Sequence, residues 1–243
     1  MKKNGKSIIA ISTIMMLSIM QIACGRETEV YAQEVISEAS TPKPTNTPKP
    51  TSTPENTHPY DFTICMAGDI NLDEAWSTTQ YLNGQENGIR DCISEELILH
   101  MNQADVMCLN NEFTYSLGGA PLEGKAYTFR ANPERVSILK ELGVDIVKLA
   151  NNHVYDYGMN AFYDTLSTLK TSKIPYIGAG ANKNEAVDAY YLVINGYKIS
   201  FLNATRAEKY ILTPEATDDN PGVFRCYDPT RLSERIKEKK KKS

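Results

Sequence analysis

Apolar positions fall into short blocks separated by polar, glycine- and proline-bearing segments, and the spacing within each block predicts an element. Residues 62–67 form a nearly continuous apolar run stopped by Gly68-Asp69, as expected of a buried strand. Residues 93–101 carry apolar side chains at helical spacing, and residues 106–109 read as a second short buried strand. A glycine-bearing loop, 118–124, precedes Tyr127-Thr128-Phe129, a candidate further strand. Asn132-Pro133-Glu134 supplies an N-cap, a first-turn proline and an early acid for a helix that runs to Leu142 and stops at Gly143. Residues 144–150 predict a third strand and 159–173 a helix, which Pro175 prevents from continuing into Tyr176-Ile177. Strands alternating with helices imply parallel pairing with right-handed crossovers. The pattern then changes. Residues 190–194 and 197–202 flank Asn195-Gly196, a strong hairpin signal, and Asp228-Pro229 opens a last, highly charged helix. The expected fold class is therefore α/β, a sheet with an antiparallel hairpin attached.

The first residues follow a different logic. Lys2, Lys3 and Lys6 precede an apolar run over residues 8–20, shorter than the ~20 residues a membrane span needs, so an export signal is expected. The run ends in Ala23-Cys24-Gly25, as at a bacterial lipoprotein cleavage site, although Gln21 departs from the usual aliphatic residue. Lipidation at Cys24 would supply enough acyl chain for stable anchoring; the alternative is ordinary signal-peptidase cleavage nearby. Residues 1–23 are thus read as a lipoprotein signal peptide. Residues 24–58 are read as a disordered linker, and residues 59–243 as the folded domain. In the linker, Thr41-Pro42-Lys43-Pro44-Thr45-Asn46 recurs as Thr47-Pro48-Lys49-Pro50-Thr51-Ser52, a composition suited to an extended, solvated spacer. The expected location is the outer face of the bacterial cytoplasmic membrane.

Charge and cysteine usage remove some function classes. A formal net charge of −4 gives no reason to expect a nucleic-acid partner. The basic run over residues 237–242 reads as a solvated helix end favoured by the helix dipole. Cys65, Cys92, Cys108 and Cys226 form no Cys-x-x-Cys pair, which argues against a zinc–thiolate site and leaves disulfides open.

The candidate chemistry sits where strands end. Open α/β sheets place their ligands beyond the carboxyl ends of strands, and three such ends here finish in polar residues. Asp69 can hold a divalent cation or merely cap a turn, and Asp73 is a weaker carboxylate candidate in the loop beyond. Glu112 follows Asn110-Asn111 in the same way. Asn152 offers a neutral oxygen ligand, and His153 can bind metal, donate a proton or hold an anion. Asp156, three residues on, is placed to orient the imidazole.

Taken together, these blocks resemble the CapA family of capsule or poly-γ-glutamate synthesis proteins, related to calcineurin-like metallophosphoesterases. The matching stretches are Ala67-Gly68-Asp69-Ile70, Asn110-Asn111-Glu112, Tyr127-Thr128-Phe129-Arg130-Ala131, Ala150-Asn151-Asn152-His153 and Asp156-Tyr157-Gly158. Gly178-Ala179-Gly180 follows them in the right order. The resemblance implies a double-sheet α/β/β/α sandwich, of which this chain carries the N-terminal part. It implies Asp69, Glu112 and Asn152 as metal ligands, with His153 and Asp156 as the catalytic pair. The family's later His-Trp-Gly-x-Glu and Gly-His-x-Pro-His blocks, which supply further histidine ligands, do not occur before Ser243. An incomplete site is therefore expected to hold Mn²⁺ or Mg²⁺ rather than Zn²⁺, and weakly. The implied partners are an anionic polymer such as poly-γ-glutamate or a capsule precursor, the membrane through a lipid anchor, and a capsule synthase complex. A metal-dependent hydrolase, a non-catalytic polymer-binding or synthase-accessory lipoprotein, and an inactive gene fragment all fit these features.

Overall fold

The computed structural model describes residues 62–206 and 212–241, which fall within the unit Asn56–Ser243. The expected signal peptide, the lipidation site Cys24 and the Thr/Pro linker lie outside the described residues.

The chain begins with β1 (Ile64–Ile70), a short helix α1 (Ser77–Asn83) and α2 (Glu95–Gln103), then runs into β2 (Val106–Asn111). Two-residue strands β3 (Thr114–Tyr115) and β4 (Arg130–Ala131) pair in parallel with each other. Then come α3 (Val136–Glu141), β5 (Ile146–Lys148), α4 (Gly158–Thr171) and β6 (Tyr176–Ile177). The main sheet is all-parallel with strand order β1-β2-β5-β6, as the strand–helix alternation predicts. Beyond it lie β7 (Ala179–Gly180), the four-residue helix α5 (Lys183–Ala186) and the antiparallel hairpin β8 (Tyr190–Ile194) and β9 (Tyr197–Phe201). Finally β10 (Gly222–Val223) pairs with β7, and α6 (Pro229–Lys240) closes the described chain.

Three layers follow from the alternation of side chains along β2. Val106 and Cys108 face one side, where they pack with Ile146, Ile177 and the hairpin residues Leu192, Ile199 and Phe201. Met107 and Leu109 face the other, joining Val147 and Leu149 against Met101, Leu139, Phe162 and Leu169 of the helices. A hairpin therefore covers one face of the parallel sheet and helices cover the other. Each buried aliphatic side chain contributes roughly 1.5–3 kcal/mol, so this double coverage dominates the stability of the layer. β1 differs. It pairs on one side only among the described residues, and Ile64 and Met66 are turned out to solvent.

Local chemistry explains where the elements depart from expectation. β1 does not stop at Gly68-Asp69: Ala67 and Gly68 together oppose Leu109, a bulge that lets the ladder resume at Asp69 and Ile70. Helix α2 starts at Glu95 because the Ser94 hydroxyl accepts from the Leu97 amide at 3.3 Å. Residues 127–129 are not a strand; the pairing falls on Arg130–Ala131 instead. The predicted helix after Asn132 opens as a 3-10 turn, Pro133–Arg135, before α3. The Asn195-Gly196 turn has φ of 49° and 84°, the left-handed pair that closes a two-residue hairpin. The basic end of α6 is not wholly solvated, because Lys239 is buried and bonded to Asp188. Cys65, Cys92, Cys108 and Cys226 are free thiols, with Cys108 fully inside the core.

Candidate active site

Parallel strands bring their carboxyl ends to one rim, and the register there is tight. Asp69 stands opposite Asn110 and Ile70 opposite Asn111, while the Glu112 amide donates to the Ile70 carbonyl at 3.1 Å. A chain of carboxamides runs across these strands. Asn151 Nδ2 donates to Asn110 Oδ1 at 3.1 Å and to the Asn111 carbonyl at 2.9 Å, and Asn110 Nδ2 donates to Asp69 Oδ1 at 2.7 Å. Asn110 thus aims the Asp69 carboxylate, and Asn151 aims Asn110.

The loop after β5 is built around the same residue. Asn151 Oδ1 accepts from the amides of His153 and Val154, each at 2.9 Å, which curls the chain out of the strand at once. That is why β5 ends at Lys148, short of the apolar run that reaches Ala150. Gly178, at φ 87°, lets the neighbouring β6–β7 turn approach closely; a Cβ there would lie 2.7 Å from that of Ala150. Asn203, beside the same glycine, accepts from the Ala150 amide at 2.6 Å.

His153 is held from three sides. Its Nδ1 lies 2.7 Å from Asp156 Oδ2, and the same oxygen accepts from the Phe129 amide at 2.7 Å. The Phe129 ring covers the imidazole, with centroids 4.3 Å apart and planes inclined at 35°. An ionised Asp156 can only accept, so this partner assigns the ring proton to Nδ1 and leaves Nε2 as the acceptor nitrogen of the neutral ring. The other oxygen of Asp156 takes the ammonium of Lys125, both side chains being almost wholly buried. Lys125 also donates to the Asn152 carbonyl, which accepts from Thr213 Oγ1 as well, at 3.2 Å.

The carboxylate side is looser and electrostatically tense. Burial pushes the Glu112 carboxyl up, the Asp69 carboxylate beside it pushes it further, and His153 opposes both. Asp69 itself is exposed. A cavity of about 450 Å³ opens at Asp69 and is lined by Ile70, Thr79, Leu82, Ile89 and Cys92. Two carboxylates acting on each other form an oxygen donor pair of the kind that suits a hard, partly hydrated cation. Among the described residues, no three His, Cys, Asp or Glu side chains gather closely enough to form a metal cluster by themselves.

Of the residues singled out from sequence, Asp69 and His153 both lie near enough to act on the Glu112 carboxyl, and Asp156 backs His153. Asn152 sits in the same loop, fixed through its carbonyl, and its side-chain amide bonds to no described residue. Asp73 is structural: its carboxylate accepts from the amides of Ala75 at 2.9 Å and Arg130 at 2.7 Å. His100 lies away from the rim, 3.8 Å from Glu96 one helical turn back. Lys125 gave no sequence signal, because a lone lysine in a glycine-bearing loop reads as solvated. Asn110 and Asn151 stand in stretches that the sequence singles out, but nothing in their spacing shows that they bond to each other across the strands.

The family model described as "Bacterial capsule synthesis protein PGA_cap" matches residues 63–243. The chain is similar to a capsule biosynthesis protein CapA of Bacillus anthracis, 35% identical over 92 residues, which are 38% of this chain and 22% of that protein. It is similar to a probable polyglutamine synthesis accessory protein of Mycobacterium tuberculosis, 29% identical over 137 residues, covering 55% of this chain and 36% of that one. The PGA biosynthesis protein CapA of Bacillus subtilis is 30% identical over 118 residues, 48% of this chain and 30% of its own length. The matched segments thus span roughly a fifth to a third of these relatives. The family match covers the parallel sheet and the whole of the rim, and the chain belongs to the bacterial capsule synthesis (PGA_cap) family.

Proposed function

We propose that this protein acts in the formation or processing of a capsule polymer of the poly-γ-glutamate type, through a metal-assisted hydrolytic site at the carboxyl rim of the sheet. The observation that carries the reading is the convergence of Asp69, Glu112 and His153. On this reading Asp69 and Glu112 would hold the cation, and Asn152 would add an amide oxygen. A bound divalent ion supplies Lewis-acid polarisation of the scissile group and a nucleophilic water. His153, its Nδ1 committed to Asp156, presents Nε2 to an anionic substrate or a leaving group. Phe129 keeps water off one face of the ring. The implied partners are an anionic polymer and the capsule synthase.

The reading includes export and tethering to the outer face of the membrane through Cys24. No described helix is long and apolar enough to cross a membrane. Mass spectrometry of the membrane fraction should find a diacylglyceryl cysteine at the mature amino terminus; soluble release with another terminus would sink the tether.

The test of the site couples Mn²⁺ titration with chain-length analysis of poly-γ-glutamate. The expected result is weak Mn²⁺ binding lost in Asp69→Asn, and polymer shortening lost in His153→Ala with Mn²⁺ binding retained. Shortening that survives both substitutions would overturn the reading. A non-catalytic role, in which the rim binds polymer for a synthase, is the second reading. It is supported by the likeness to a protein named as a probable polyglutamine synthesis accessory protein, and polymer binding without shortening would favour it.

A further inference from the structure

Nothing in the family resemblance, and no spacing in the sequence, draws attention to Lys125, yet the rim is organised around it. The segment between β3 and β4 has no helix or strand of its own. Lys125 enters from that segment with its side chain 4% exposed, beside an Asp156 carboxylate that is 0% exposed. Burying a long, strongly hydrated ammonium so fully is costly, so the position must return that cost in paired interactions. Its partners are informative. Among the described residues, one is the carboxylate that holds His153 Nδ1, and another is the main-chain carbonyl of Asn152. These are the two points from which the working side chains of the loop are suspended.

We propose that Lys125 is a positioning residue: its buried ammonium bridges Asp156 and the Asn152 carbonyl, fixing both the ring orientation of His153 and the peptide that carries the Asn152 side chain. It touches neither substrate nor metal. Asp156 carries three demands at once, from Lys125, His153 and the Phe129 amide. Without the ammonium, one carboxylate oxygen loses its partner, and the carboxylate can rotate away from the imidazole. Among the described residues, the Asn152 carbonyl would then keep only its bond from Thr213 Oγ1. The same link also ties the loop to the rim. The Leu122 amide, three residues before Lys125, donates to the Asp156 carbonyl at 2.9 Å, so the segment is anchored at both levels of one residue. The inference concerns ring and peptide geometry, so it can fail while the hydrolytic reading stands, and the reverse.

The chain contains three histidines, which makes the imidazole directly observable by ¹⁵N NMR, with His153→Gln as the assignment control. In the unaltered protein, free of added metal and at a pH high enough to keep the ring neutral, His153 should show one tautomer, protonated at Nδ1, with a slowly exchanging ring proton. Lys125→Met keeps the length of the side chain and removes the ammonium. It should speed exchange of that ring proton by at least about tenfold, the cost of one charge-assisted hydrogen bond, and average the two ring-nitrogen shifts. A lysine that only fastened the loop would lower the melting temperature without moving the His153 signals; unchanged signals in a folded Lys125→Met protein overturn the proposal. Should Lys125→Met not fold, the double variant Lys125→Met/Asp156→Asn removes both buried charges and is compared with Asp156→Asn. The proposal requires the Asn152 carbonyl ¹³C and His153 amide signals to differ between those two proteins, and coincident signals overturn it.

Discussion

The two sides of the rim are built to different standards. On the side after β5, Asn151, His153 and Asp156 are buried, and every one is tied by at least two hydrogen bonds or ring contacts to groups that are themselves tied. On the β1 side, Asp69 is exposed on an edge strand, held by one amide from Asn110, next to a glycine whose added Cβ would meet nothing within 4 Å. One side is ready before any ligand arrives; the other is a pair of repelling carboxylates. The contrast suggests a division of labour. Orientation of His153 is set by the fold, whereas, on the proposed reading, a bound cation would complete the geometry of Asp69 and Glu112.

This contrast can be broken by mutation, and the largest effect belongs to the built side. Asp156→Ala removes a buried carboxylate that Lys125, His153 and the Phe129 amide all bind. It should lose about 3–5 kcal/mol in urea unfolding, the cost of breaking a buried ion pair from one side. A loss below 1 kcal/mol, a value near the ~0.5–1.5 net worth of an ordinary hydrogen bond, would show that the network is ornamental. Asn151→Ala comes next. It deletes a side chain that donates to Asn110 and Asn111 and accepts from two amides, so roughly 2–3 kcal/mol should go, with Asp69 losing its aim as well.

The carboxylate side should behave in the opposite sense. Burial first, and Asp69 second, hold the Glu112 carboxyl above its ordinary value of 4.5, so the folded protein binds that proton more tightly than the unfolded chain does. The stability this preference lends is fully present below pH 4.5 and is lost as pH rises through the raised value. Glu112→Gln should therefore flatten that decline and leave the protein slightly more stable at neutral pH, as a series of melts across pH would show. Saturating Mn²⁺ should stabilise the unaltered protein and do little for Glu112→Gln, since a ligand stabilises only the state that binds it. The smallest effect is at the bulge: Gly68→Ala should shift stability by no more than ~0.5 kcal/mol, because the added methyl enters open space.

How much of this was legible beforehand depends on the range of each interaction. The parallel sheet, the hairpin and the helix starts at Asn132 and Asp228 were readable because they rest on periodicity and on capping residues adjacent in sequence. The positions of Asp69, Glu112, Asn152 and His153 at strand ends were readable for the same reason. What escaped was long-range and polar. The bonds of Lys125 to Asn152 and Asp156 span 27 and 31 residues, and those of Asn151 to Asn110 and Asn111 span 41 and 40. No local pattern encodes such pairs. Likewise the extension of β1 through Asp69 depends on a bulge against Leu109, which only the partner strand reveals.

The open flank of β1 governs how the protein behaves when concentrated. Among the described residues β1 is paired on one side, with Ile64 and Met66 exposed, and such an edge offers amides and carbonyls to a second strand. Turbidity on storage should therefore track protein concentration rather than melting temperature. Met66→Lys, a gatekeeper charge at the outward position, should keep solutions clear at concentrations where the parent protein clouds.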